Sequence, residues 1–220
     1  MKVLLPIVAL VTILATSCSN TVRLKPSDRS LVSPTRVKNE VGVPEAIEFA
    51  DTEGADAEGV GATFELVGAL LAAPIVEGLN LNEQSTHDPE LGERADKGSL
   101  ILRDEFIKSL RRNKVASVVD SGQKSEFTLT ITELGLVPSM PAGEEMRFEL
   151  EVQATLADTG GRILWESHYG SSPHNDQLPA RNLEKYKADN DLLRKDFALT
   201  CRYVSDLIIA DLKSQMQDEE

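Results

Sequence analysis

The sequence contains little of what usually marks a metal site, a disulfide scaffold or a membrane-spanning protein. Of its 220 residues only two are cysteine, three are histidine and one is tryptophan, and aromatic side chains make up 5%. The apolar N-terminal run over residues 3–15 is shorter than the roughly 20 residues that a transmembrane helix needs. With so few aromatic residues, leucine, isoleucine and valine must fill the core.

No pattern typical of catalysis or metal binding is present either. The histidines are far apart, at His87, His168 and His174, and no serine lies in a GxSxG turn. The glycine-rich stretch GADAEGVG is acidic and lacks a phosphate-binding lysine. Neighbouring glutamates in a chain with 36 acidic residues are expected to be solvated. We therefore predict no cofactor, no metal and no enzymatic activity, with an enzyme of unrecognised site as the alternative.

The sequence contains 36 acidic residues and only 23 basic ones. Without residues 1–17, which carry one lysine and no acid, the net charge of −13 becomes −14. A chain of this charge is repelled by phosphates, so nucleic acid is not a predicted partner and anionic lipid headgroups are not a predicted ligand.

What the N-terminus does contain is one lysine, an apolar run and then the small residues Ala15, Thr16 and Ser17, followed at once by Cys18. This order is typical of a secretory signal peptide. The stretch LATSC, residues 14–18, resembles the lipobox of bacterial lipoproteins, although Ala15 stands where that family prefers leucine. The resemblance implies that Cys18 receives a diacylglycerol and becomes the new N-terminus. The alternative is a plain signal peptide with an incidental cysteine.

A lipid anchor at Cys18 implies how the rest of the chain is organised. Residues 1–17 are the expected signal peptide, residues 18–38 the lipidated cysteine and a flexible tether, residues 39–216 a single periplasmic domain, and residues 217–220 an acidic tail. Ser19 and Asn20 replace the aspartate that favours inner-membrane retention, so the lipobox resemblance implies the periplasmic face of the outer membrane. The predicted membrane partner is the lipid bilayer, reached through Cys18.

Alternation of apolar and polar residues predicts three long strands. Phe127, Leu129 and Ile131 alternate with threonines, the phase reverses near residues 133–135, and a β-bulge is expected there. Residues 146–156 alternate throughout, and the Asp-Thr-Gly-Gly turn leads into a return strand over residues 162–169, with Ile163, Trp165 and Tyr169 on one face. A shorter first strand is predicted over residues 41–49.

Two helices are predicted around these strands. One begins at Ser99 as its N-cap and ends near Arg111 and Arg112. The other closes the chain over residues 190–216, with a buried stripe that includes the second cysteine (Leu193, Phe197, Cys201, Val204, Ile208, widened by Leu207 and Leu212). The pattern favours an α+β fold, a mostly antiparallel sheet of about four or five strands with helices packed on one face.

Residues 63–79, TFELVGALLAAPIVEGL, are the most ambiguous segment. The small residues Gly68, Ala69, Ala72 and Ala73 would let another backbone approach closely, which makes them candidate partner contacts. A helix packed on the domain itself is the interpretation that we favour, and a segment that docks on a partner or dips into the membrane is the alternative.

The lipobox, the stretch LVGALLAAPI, the strand FTLTITELGL and the hairpin residues Leu156, Asp158, Gly160, Leu164 and Trp165 together resemble a loose group of bacterial envelope lipoproteins. The layout is also similar to that of small accessory lipoproteins of outer-membrane assembly and curli secretion, at the level of fold alone. The resemblance implies a lipid-anchored protein that binds an envelope protein partner in an assembly or transport complex. A subunit of an oligomeric secretion pore is an alternative.

Overall fold

The computed structural model describes residues 21–43, 96–140, 144–172 and 174–217. A short 3-10 helix, Pro26–Leu31, precedes strand β1. The strands are β1 (Thr35–Val37), β2 (Ser125–Pro138), β3 (Glu145–Asp158), β4 (Ile163–Gly170) and β5 (Arg181–Asn182). The helices are α1 (Asp96–Asn113), α2 (Leu183–Ala188) and α3 (Asn190–Gln217).

The strands form one mixed sheet in the order β1-β2-β3-β4. β1 runs parallel to β2, and the other pairs are antiparallel. β5 pairs with the first two residues of β3. It lies on the same edge of β3 with which β4 pairs further along the strand. The α+β fold with a mostly antiparallel sheet is confirmed.

The predicted β-bulge is present in β2. The register between β2 and β3 shifts between Ile131 and Glu133, so Thr132 is the additional residue. Before it, Phe127, Leu129 and Ile131 face the core, and after it Leu134 and Leu136 do so. The bulge is required because the apolar residues change phase, and only an extra residue keeps both sets on the same face of the sheet.

The core lies between the sheet and the helices, as the alternating patterns predict. α3 packs on β3 and β4, and α1 packs on α3. Phe148 on β3 has its ring centroid 5.4 Å from that of Phe197 on α3, and Trp165 is fully buried on the same face. Trp165 also donates its Nε1–H to Asp211 on α3, at 3.2 Å. Phe148 and Trp165 therefore both lie beneath the last helix.

The predicted stripe of α3 is buried at every central position, and Cys201 lies in its middle. Leu207 is only half-buried, whereas Ile209 is fully buried. The buried face of the helix therefore includes Ile209, which was not predicted, in addition to the predicted central positions. Burial raises the pKa of the Cys201 thiol well above its usual value, with a smaller contribution from the charge of Glu105. Cys201 is therefore an inert core residue in the folded protein.

The predicted start of the first helix is wrong. α1 begins at Asp96, so Ser99 lies inside the helix rather than at its N-cap, and it is 4% exposed. Burial against the domain holds this part of the chain in the helix even though Gly98 has a low helix propensity. Arg111 and Arg112 lie in the last turn, as predicted.

The prediction of which β4 side chains face the core is only partly correct. The register between β3 and β4 shifts between Leu156 and Ala157, which pair with Trp165 and Ile163. Leu164 is the additional residue and is buried, whereas Ile163 is 45% exposed. This second bulge is what places Ile163 outside the core. A hairpin whose turn ends with Gly161 at a φ of +84° joins the two strands, as predicted.

The segment that precedes the sheet differs from the flexible tether that its polar composition predicts. Within residues 21–38, Val22 pairs with Glu166 of β4, and Val32 and Val37 are buried. The first strand is accordingly β1, ahead of the predicted strand over residues 41–49. Of that prediction only Gly42 is seen to pair, with Thr130, and residues 44–49 lie outside the described residues. The apolar residues that dock the segment are isolated in the sequence and follow no period.

An ion pair and a backbone hydrogen bond hold the same segment in place. Arg162, directly before β4, donates from Nη1 and Nη2 to the two carboxylate oxygens of Asp28, each at 3.1 Å, and from Nε to Asp158 at 3.0 Å. The backbone N–H of Leu24 donates to Gln215 Oε1 of α3 at 2.8 Å, and the Leu24 side chain is buried. The segment is thus bound to both the hairpin and the last helix.

Candidate functional site

The face of the sheet opposite the helices carries the most unusual group of polar side chains in the described part of the chain. Thr132, Glu133, Glu149, Glu151 and His168 project from three adjacent strands, and we call them the carboxylate–histidine patch. The bulge in β2 creates it, because the extra residue Thr132 brings Glu133 opposite Glu151 of β3. Gly135 pairs with Glu149, so β2 places no side chain opposite Glu149.

His168 connects the patch across the strands. Its Nε2 lies 2.9 Å from Thr132 Oγ1 and 3.2 Å from Glu151 Oε2. The ring is exposed, as the alternation of β4 predicts. Gly170, which pairs with Glu151, has no room for a side chain, because a Cβ there would lie 2.8 Å from Glu151 Cγ. The end of β4 therefore approaches Glu151 closely and helps to position its carboxylate.

The carboxylates of the patch are not electrostatically independent. The pKa of Glu149 is raised, first by partial burial and then by the negative charges of Glu133 and Glu151, and the nearby His174 opposes the shift. Three carboxylates that repel one another are stabilised by any added positive charge. The arrangement suits a cationic group from outside, because such a group would offset this repulsion.

One residue that the strand pattern places on this face is not available for contact. The sequence predicts an exposed surface around Arg147, Glu149 and Glu151, but Arg147 is only 7% exposed, and Val137 opposite it is equally buried. Glu149 and Glu151 are half-buried. The prediction of an open face is therefore wrong at Arg147, since burial on this side depends on contacts that strand alternation does not encode.

A second polar cluster lies inside the domain. Asp196 on α3 is 1% exposed and accepts hydrogen bonds from Arg181 Nε at 3.1 Å and from the Tyr186 hydroxyl at 3.2 Å. The pKa of Tyr186 is raised well above its usual value, mainly by burial and then by the charge and hydrogen bond of Asp196. The cluster joins β5 and α2 to α3, and its enclosure gives it a structural role rather than a binding role.

The residues predicted from sequence to act in anchoring or docking cannot be compared with this patch. Cys18 and the small residues Gly68, Ala69, Ala72 and Ala73 lie outside the described residues. Sequence reasoning also missed the contact of His168 with Thr132 and Glu151. The signal was present in the phase change of β2, but finding it required the strand register as well.

The described ranges offer no arrangement suited to a metal ion. No group of three or more histidine, cysteine, aspartate or glutamate side chains in them has the geometry to hold one. Among the same residues, no helix is long and apolar enough to cross a bilayer. A cleft of about 250 Å³ beside β1 is lined by Arg36, Lys38 and Glu126, and Glu126 pairs with both cations.

Comparison with known proteins gives distant similarities only. Neither the scan against protein-family models nor the search of curated proteins finds a match. Among solved structures, 16 chains match. The Xanthomonas campestris protein XCC0632, of the DUF330 family, is 11% identical, with a TM-score of 0.39, over 56% of this chain and 68% of that one.

Two further structures are similar at the same level. A PelC dodecamer from Paraburkholderia phytofirmans is 11% identical, with a TM-score of 0.30, over 61% of this chain and 80% of that one. A minor lipoprotein from Acinetobacter baumannii is 16% identical, with a TM-score of 0.28, over 54% of this chain and 84% of that one. These similarities are too distant to assign the chain to a family.

Proposed function

We propose that this protein is a lipid-anchored accessory protein of the bacterial envelope. It binds a protein partner at the periplasmic face of the outer membrane and catalyses no reaction itself. The observation that carries the proposal is the lipobox-like stretch that ends at Cys18, directly before a packed α+β domain. The carboxylate–histidine patch supports the binding role, because its mutual repulsion favours a partner with basic side chains.

The anchor is tested by the mass of the mature N-terminus. Intact-mass measurement of protein extracted from membranes is expected to show acyl-glyceryl mass on Cys18, with residues 1–17 removed. Cys18→Ala is expected to leave an uncleaved precursor or a protein that is released without detergent. An unmodified Cys18 in the mature wild-type protein would contradict the anchor.

The partner-binding surface is tested by neutralising the patch. The double variant Glu149→Gln and Glu151→Gln is expected to stay folded but to lose the protein that co-purifies from detergent-solubilised membranes. Glu184→Gln serves as the matched control, because its side chain is 74% exposed on α2, outside the patch. Retention of the partner by the double variant would exclude the patch as the contact.

The alternative contact is the small-residue segment. If Ala72→Leu stays folded and loses the partner while the patch variant keeps it, residues 63–79 form the interface instead. Turnover of an envelope substrate by the purified domain, with no partner present, would contradict the non-enzymatic role and favour the enzyme alternative.

A further inference from the structure

The length of chain between the anchor and the domain limits how far the domain can stand from the membrane. Val22 is paired with β4, and its carbonyl accepts a hydrogen bond from the Glu166 N–H at 2.9 Å. Only three residue steps separate Cys18 from Thr21, and a chain of three residues spans at most about 11 Å. An acyl chain attached at Cys18 therefore has its glyceryl group close to the outer edge of β4.

The residues after Val22 cannot lengthen this link without breaking contacts. Leu24 and Val32 would have to leave the core, and Asp28 would have to leave Arg162. Asp28 is itself 7% exposed, so its separation from Arg162 would leave a poorly hydrated carboxylate. Residues 22–32 are thus bound to the domain by these contacts, rather than forming part of a flexible tether.

The side chains of this edge suit a lipid interface. Val22 and Ile163 are 37% and 45% exposed, and they are two of the exposed large apolar residues in the described part of the chain. Arg23 and Lys25 flank Leu24 and are exposed. Exposed apolar groups next to cations that reach phosphate oxygens are typical of surfaces that lie on a bilayer.

We propose, on the basis of the lipid anchor proposed above, that the β4 edge of the sheet lies against the bilayer surface and that the short link from Cys18 to Val22 holds it there. The β1 edge of the sheet and the N-terminal half of α1, which contacts the chain after β1 through Arg103 and the Lys38 carbonyl, then face away from the lipid. The occupant of the β4 edge is the membrane itself rather than a protein.

The test measures the distance of two labelled positions from the lipid headgroups. Acylated full-length mature protein is reconstituted in vesicles of phosphatidylethanolamine and phosphatidylglycerol that contain a nitroxide-headgroup lipid. A fluorophore is attached to Ile163→Cys or, as the control, to Leu100→Cys on α1, another exposed apolar position at 37%. Cys201 is fully buried, and Cys18 is acylated, so the introduced cysteine is the one that reacts.

Fluorescence is expected to be quenched at position 163 and not at position 100. A ten-residue glycine–serine insertion between Ser19 and Asn20 adds a root-mean-square reach of about 17 Å, and it is expected to abolish the quenching. Equal quenching at both positions, or quenching that survives the insertion, would overturn the proposal while the anchor stands. Absence of acyl mass on Cys18 would overturn the anchor and, with it, the proposal.

Discussion

The variant Phe148→Ala is expected to lower the free energy of unfolding by about 3–5 kcal/mol. Phe148 is 1% exposed, and its ring packs on those of Phe197 and Tyr186, with centroid separations of 5.4 and 5.8 Å. Truncation removes the apolar surface that joins β3 to α3 and α2, and it leaves a cavity that the surrounding elements cannot close. Urea denaturation followed by circular dichroism measures the change.

Leu199→Ala on α3 is the control for this experiment. Leu199 is 40% exposed, so its truncation is expected to cost less than about 1 kcal/mol. If Phe148→Ala falls below about 1 kcal/mol as well, Phe148 does not contribute to a packed core and the phase of β3 is wrong.

Removal of the buried carboxylate, in Asp196→Ala, is expected to cost about 2–4 kcal/mol of unfolding free energy. The substitution leaves the Tyr186 hydroxyl without its acceptor in the core and separates Arg181 from its counter-charge. The side chain of Arg181 is 41% exposed, so water compensates part of its loss and the expected cost stays below that of a fully buried ion pair. The β5–α2 segment is expected to detach from α3 first.

Asp191→Ala, at the exposed first turn of the same helix, controls for the loss of an acidic residue and is expected to cost within about 1 kcal/mol. A double-mutant cycle with Tyr186→Phe isolates the tyrosine hydrogen bond. Independent contributions of the two substitutions would show that the tyrosine hydrogen bond does not stabilise the fold. An Asp196→Ala cost no greater than that of Asp191→Ala would show the same for the whole cluster.

The sheet and the last helix were predictable because their signals are local. Alternation along β2 and β3 indicates which face is buried, and its reversal near residue 133 indicates the bulge. The stripe of α3 likewise follows from helical periodicity, since one face of a long helix must be covered. These patterns are repeated over enough residues to outweigh individual exceptions.

The errors occurred where contacts far apart in sequence decide the structure. Ile163 follows a turn and belongs to an alternating stretch, but the bulge at Leu164 depends on how β4 is aligned with β3. Arg147 has the sequence position of an outward residue, yet it is buried by residues that the alternation of its own strand cannot identify. The same holds for Asp28 and Arg162, which are 134 residues apart.

The sequence by itself therefore determined the lipobox-like N-terminus, the α+β class, the buried faces of β2 and β3 and the core stripe of α3, because each depends on neighbouring residues or on a short period. Only the tertiary structure decided that Val22, Leu24 and Asp28 dock onto the domain, and that Thr132, Glu151 and His168 meet on its outer face. The physical reason is that strand register and long-range packing bring those groups together, and the free energy of such contacts depends on partners that no local pattern specifies.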